Sequence, residues 1–478
     1  MRLPGGGSRA RGAAAPLALF LLGVLARCWA LGAVPGGLNQ DEAFAGYEAW
    51  SLLTSGVDCW GYPWPCYFVS WGSGMNVLES YLAIPFMALL GCTETALRLP
   101  QLICACACLP VFYDLLRRMA SRRLALIGLG LLAISPWHIM LSRWGLESNL
   151  APAFLLFGFY FLVRGLEDDR FLPASAAAYG LSLYAYAINW VVVPLTLCVC
   201  GGYLLLSGRR FRMGRLLGAA GILFLLALPL MLFVLVNLGV MGEIVTPWFS
   251  VPRLAAMRDG ELSLANLLSP EGWRGLAQVV FLQRDGLIWN GVEGFGMFYP
   301  ISLPFQLLGA ARLIRGAAGA LRAKRYDWQC LALLWAGCGA AVCLAVANLN
   351  ITRANSLYLL LPALYRGVFH RVQPPGVRRL PLRGGGGGGL HPGTGFSPGG
   401  GGPQRLLPPD PLLRPDAPPG VRGHGGICGG AVGLYRPGGL RPVPLRGGLR
   451  RFGGGHGLSG PRRPGGRAGG RGLAGGDI

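Results

Sequence analysis

A chain of 478 residues with 53% hydrophobic and only 13% charged residues falls outside the soluble globular class, which carries about 25% charge. The formal charge of +22 does not mark a nucleic-acid binder. Most of the excess lies after residue 365, where 17 Arg stand against three Asp, without the aromatic or motif context that reading a polynucleotide needs.

The first 15 residues carry Arg2, Arg9 and Arg11 and no acid. An apolar run follows at 16–34. A cleaved leader is one reading of it. Arg27 inside the run, and the lack of a clean small-x-small site before Gln40, favour a retained helix with a basic cytoplasmic N-terminus. Residues 35–75 then form a loop rich in Tyr47, Trp50, Trp60, Tyr62, Trp64, Tyr67, Phe68 and Trp71, a composition of the headgroup level. Parts of it are expected to lie along the surface as helices. Apolar runs with at most one charged residue recur at 76–92, 99–116, 124–141, 149–165, 172–187, 188–206 and 217–240. Each is near the length that crosses hydrocarbon, and spans in lipid are helices when the runs are continuous. A second loop, 241–297, is polar by comparison. Spans at 298–314 and 329–347 and a partial one at 354–365 complete an all-α polytopic membrane architecture of ten to eleven spans. Arg117, Arg118, Arg122 and Arg123 vote for a cytoplasmic turn. Simple alternation from an outer first loop puts them outside, so the parity is open, and a re-entrant segment would resolve it.

Three polar clusters interrupt this pattern, and charges near a bilayer are costly enough to mark function. The first is Asp41-Glu42, after the bend Pro35-Gly36-Gly37. A carboxylate there suits proton acceptance from an acceptor hydroxyl. Helix capping by Asn39 or Asp41 is the structural alternative, compatible with catalysis. The second runs from Ser135 to Asn149 and contains His138, Arg143 and Glu147. Arg143 and Glu147 share a face if the stretch is helical, as a membrane-edge ion pair or as the wall of a pocket for phosphate or sugar. The third holds Asn350, Arg353 and Asn355. The Arg353 fork matches phosphate oxygens, and the two Asn suit sugar hydroxyls. An interfacial anchor and helix cap is the other reading. Cys104, Cys106 and Cys108 lie in an apolar run and read as small buried hydrophobes. Neither a Walker-type nor a dinucleotide-binding glycine loop sits between a strand and a helix.

The composition changes near residue 366. Residues 366–478 are rich in Gly, Pro and Arg, including Gly384 to Gly389, a composition that forms no packed core. Two readings stand: a disordered low-complexity tail, or a shifted reading frame over a GC-rich gene. The second fits a last span that breaks off half-finished, and 42 Arg against a single Lys.

The stretches Gly37 to Ala43, Thr95-Ala96-Leu97-Arg98-Leu99-Pro100, Ser135-Pro136-Trp137-His138 through Ser142-Arg143, and Asn350 to Asn355 resemble the lipid-dependent membrane glycosyltransferases of the C-type fold. The likeness is to the bacterial branch related to aminoarabinose transferases and protein O-mannosyltransferases, and it covers about residues 16–365. The tail departs from it, because family members continue with more spans.

The resemblance implies a polyprenyl-phosphate-linked sugar as donor and a lipid, glycan or protein acceptor, at the outer face of a bacterial cytoplasmic membrane. It implies Asp41 as the acid that activates the acceptor, with Glu42 beside it. It also implies in-line attack that inverts C1, and Arg353 or Arg143 at the leaving phosphate. A divalent cation is the one cofactor it leaves open. A transporter or flippase is the competing class, expected to show inverted repeats. A structural assembly factor is the third.

Overall fold

The computed structural model describes residues 6–256, 262–287, 290, 294–323 and 326–358. The chain is a mostly helical polytopic membrane protein. Fourteen α-helices and two short hairpins are present among the described residues. Five helices are long and apolar enough to cross a membrane: α4 (Glu94–Met119), α7 (Glu147–Glu167), α9 (Asn189–Leu206), α10 (Met213–Asn237) and α13 (Trp328–Ala345). The other expected spans appear as α1 (Gly6–Cys28), α3 (Leu78–Leu90), α5 (Arg122–Ile134), α8 (Leu172–Ser182) and α12 (Leu303–Arg322). Of the partial late span, α14 (Asn355–Tyr358) is seen. Its remainder and the tail 366–478 lie outside the described residues.

The expected span 124–141 is two helices. Ser135 leaves the helical region, and its hydroxyl accepts from the His138 amide. Pro136 then opens the short α6 (Pro136–Leu141). Proline at the first helical position loses nothing there, but it ends the helix before it. In the first loop, α2 (Gln40–Ser55) is followed by the hairpin β1 (Phe68–Ser70) and β2 (Ser73–Met75), paired Phe68 to Met75. In the second loop, β3 (Ile244–Thr246) pairs with β4 (Phe249–Val251). The remaining helix, α11 (Pro270–Ala277), also lies in that loop.

Contacts sort the helix ends into two sets. At one end, the first turn of α4 meets the segment just past α1, where Arg98 donates to the Pro35 and Gly37 carbonyls. The first residue of α3 donates to the Tyr184 carbonyl beyond α8. The two large loops join there as well, through the Cys66 amide and the Ser250 carbonyl at 2.9 Å. At the opposite end, Arg118 pairs with Glu167, Arg209 donates to the Leu166 carbonyl, and the Arg212 amide donates to Asp169 at 2.9 Å. The Tyr203 hydroxyl reaches the Asp327 backbone there at 3.2 Å.

Both termini of α3 belong to the first set, since its last residues lead directly into the first turn of α4. The apolar run 76–92 therefore does not cross; it packs between α2 and α4. With α3 removed from the alternation, Arg117, Arg118, Arg122, Arg123, Arg209 and Arg212 all share the second end. That is the distribution expected of a cytoplasmic face.

The bundle is close-packed around α7. Phe159 stacks on Trp335 of α13, with ring centroids 4.3 Å apart. Gly158 faces Tyr179 of α8 so closely that a Cβ there would lie 2.8 Å from the ring. Glycine is therefore what lets α7 and α8 approach.

Candidate functional site

The site is built on the N-terminus of α2. Asn39 is its N-cap: the Asn39 side chain accepts from the Asp41 amide at 2.9 Å, and the Asn39 amide donates to Glu42 Oε2 at 3.1 Å. This is a capping box, two orphan amides satisfied reciprocally. The structural alternative read from the sequence is thus real, with Asn39 in the capping position.

Glu42 does more than cap. Arg98 donates to its Oε1 from Nε at 3.0 Å and to its Oε2 from Nη2 at 3.1 Å. The Gly145 amide adds a second donor to Oε1 at 2.7 Å. Both side chains are fully buried. A buried pair persists only when its remaining hydrogen-bonding groups are also satisfied. Here the Arg98 fork reaches Pro35 and Gly37, and its guanidinium lies over the Trp144 ring at 5.9 Å. Glu42 therefore positions the loop, and the half-buried Asp41 beside it is the acid at the head of α2.

Sequence reasoning missed Glu79, in the first turn of α3. It is fully buried, and neither carboxylate oxygen has a hydrogen-bond partner among the described residues. A Cβ added to Gly145 would lie 3.4 Å from Glu79 Oε1 and 3.5 Å from Glu42 Oε1, so the two carboxylates meet around that glycine. An acid at the head of the apolar run 76–92 was the signal available.

The second cluster separates into parts. Residues 142–146 are not helical, so Arg143 and Glu147 do not share a helix face. Arg143 turns back to the end of α1 and donates to the Arg27, Ala30 and Val34 carbonyls at 2.7–3.0 Å. The last carbonyls of a helix lack intrahelical donors, and this fork supplies them. Glu147 accepts from the Asn76 side chain at 3.0 Å and from its amide, fastening β2 to α7.

His138 is buried against Arg27, whose Nη2 lies 2.7 Å from its Nδ1. Arginine only donates, so Nδ1 accepts and the ring proton sits on Nε2. The same guanidinium also holds the Leu132 and Ala133 carbonyls at the end of α5.

In the third cluster, Asn355 accepts from Trp137 Nε1 at 3.0 Å and donates to the Ser148 carbonyl at 3.3 Å. Asn350 accepts from the Arg353 amide at 2.9 Å. Arg353 is half-buried, and its guanidinium meets the Ala347 carbonyl. Asp285, on the second loop, accepts from the Ile351 amide at 2.8 Å.

The three clusters therefore meet on residues 142–149, the connection after α6 and the first turn of α7. Gly145 binds Glu42, Arg143 binds the end of α1, Glu147 binds Asn76, and Ser148 binds Asn355. Among the described residues, no three His, Cys, Asp or Glu side chains are placed to hold a metal. Glu42 and Glu79 approach each other, but Glu42 is already committed to Arg98.

A family model described as dolichyl-phosphate-mannose-protein mannosyltransferase matches residues 77–235. No curated protein matches. Among solved structures, ArnT from Cupriavidus metallidurans bound to undecaprenyl phosphate is 15% identical, with a TM-score of 0.46 over 77% of this chain and 61% of that one. The same protein in the apo state gives 14% and 0.44, over 75% and 59%. The oligosaccharyltransferase AglB from Archaeoglobus fulgidus, in complex with an inhibitory peptide and a dolichol-phosphate, gives 14% and 0.44, over 76% and 50%. The chain thus spans half to three-fifths of the length of these structures.

Proposed function

We propose that this chain transfers a glycosyl group from a polyprenyl-phosphate donor to a lipid, glycan or protein hydroxyl at the outer face of a cell membrane. The acceptor oxygen attacks the sugar C1 while Asp41 takes its proton. The bond from C1 to the phosphate oxygen breaks on the opposite face, and its electron pair leaves with the lipid phosphate. C1 is inverted. Arg353 and the Nε2–H of His138 are the donors assigned to the charge that builds on that phosphate. Glu42 and Arg98 hold Asp41 in place, and Asn350 is assigned to sugar hydroxyls.

The observation that carries this reading is the convergence of the three polar clusters on residues 142–149, at the end of the bundle that bears the two large loops. A buried, fully satisfied Glu42–Arg98 pair is a rigid mount for the acid next to it, and catalytic geometry needs such a mount. The match of residues 77–235 to a family acting on a dolichyl-phosphate sugar supports the same donor class.

The test is transfer from a panel of radiolabelled polyprenyl-phosphate sugars by the full chain in lipid nanodiscs. Asp41→Asn is expected to lower the rate about 10²–10⁴-fold, the range of a general base, with an unchanged melting temperature. Transfer by the Asp41→Asn protein at the parental rate would remove Asp41 from this role.

A further inference from the structure

The outer loops contain a second acidic pair that the proposed reaction does not use. Glu48 lies on α2 and Asp58 on the turn that follows, and both are buried, at 0% and 2% exposure. Each carboxylate has one satisfied and one unsatisfied oxygen. Glu48 Oε2 accepts from the Cys59 amide at 3.0 Å, and Asp58 Oδ1 accepts from the Trp60 and Tyr62 amides at 2.9 and 2.8 Å. Glu48 Oε1 and Asp58 Oδ2 are buried without a hydrogen-bond partner among the described residues. No ion pair reaches either acid there. An ionised carboxylate in that setting is costly, and two side by side are more so.

The turn these acids support is also where the two outer loops join. The Tyr62 hydroxyl donates to Glu243 at 3.0 Å. Next to it the Ser250 hydroxyl donates to the Pro63 carbonyl at 2.8 Å, and the Cys66 amide donates to the Ser250 carbonyl. We propose that Glu48 and Asp58 form a proton-controlled latch beneath residues 56–63, closed while the pair holds a proton. The latch governs how firmly the first outer loop grips the second.

Burial, reinforced by the charge of Asp58, pushes the Glu48 carboxyl up to about 7, and burial pushes Asp58 up to about 6. The other titratable groups facing the pair are Cys59 on the turn, Cys66 past it, Tyr81 on α3, and Glu243 through Tyr62. Burial raises the Cys59 thiol, and it raises Cys66 to about 12, so both stay neutral across the window. The sign follows from linkage. Acids raised by folding stabilise the closed turn below their ordinary range, and that stability is lost as pH rises through about 6 and then about 7.

The experiment is hydrogen–deuterium exchange of the full chain in nanodiscs from pH 5.5 to 8, corrected for intrinsic rates, following peptides 56–66 and 241–252 with α7 as control. Protection at 56–66 is expected to fall about tenfold or more across that window, with α7 unchanged. Glu48→Gln, or Asp58→Asn if the first variant does not fold, is expected to remove the pH dependence. Tyr62→Phe is expected to lower protection of 241–252 while keeping the pH dependence of 56–66. The latch is overturned by flat protection at 56–66, by a pH response that survives both acid variants, or by an equal loss in α7.

Discussion

At the scale of single residues, the structure separates groups that hold the site from groups that face chemistry. Glu42 and Arg98 satisfy each other inside the protein, so losing either partner strands a buried charge. Arg98→Ala or Glu42→Leu alone is expected to destabilise by about 3–5 kcal/mol, and Glu42→Leu combined with Arg98→Met by much less. Denaturant unfolding in detergent compares the three, and equal damage from single and double variants would refute the pairing argument. Arg143 makes the same point in another form. Its fork serves carbonyls at the end of α1, so Arg143→Lys is expected to lower the melting temperature and leave KM for the lipid-linked donor unchanged. A raised KM at an unchanged melting temperature would return Arg143 to the phosphate. Asp41 and Glu42 were legible as a pair from their place after the first apolar run. Their division of labour was not, because Arg98 and Gly145 reach Glu42 from 56 and 103 residues away in the chain.

At the scale of elements, capping and proline chemistry explain most boundaries. The capping box of α2 uses residues three apart and is readable locally, so Asn39→Ala is expected to cost about 1 kcal/mol in the same unfolding assay. The Ser135-Pro136 break between α5 and α6 was equally local. It was overridden at the sequence level by the hydrophobicity of both flanks, which ran the two helices together as one span. The opposite case is α3. Its apolar composition suits a crossing, its 13 residues fall short of the hydrocarbon thickness, and which side its two ends share is not stated in them. That follows from the Tyr184 carbonyl at its start and from Arg98, just beyond its end, reaching back to Pro35 and Gly37.

At the scale of the whole molecule, the arrangement of ends predicts sidedness. Fusions of a reporter that is active only inside the cell are expected to work after residues 122, 170 and 212. Fusions of a reporter active only outside are expected to work after residues 73, 93 and 250. Opposite results at 73 and 93 would make α3 a true span and undo the assignment. The sequence by itself determined the class: long apolar runs nearly free of charge mark a membrane chain, because lipid requires backbone groups to be satisfied within helices. It also marked the three polar clusters around Asp41-Glu42, Ser135 to Asn149 and Asn350 to Asn355, since charge and amide groups beside apolar runs are visible in one dimension. The tertiary structure alone decided which of these residues are spent on one another. Hydrogen bonds and ion pairs act over about 3 Å, and only folding brings Arg98 to Glu42, Arg143 to α1, Asn355 to Trp137, or Glu79 to the glycine it shares with Glu42.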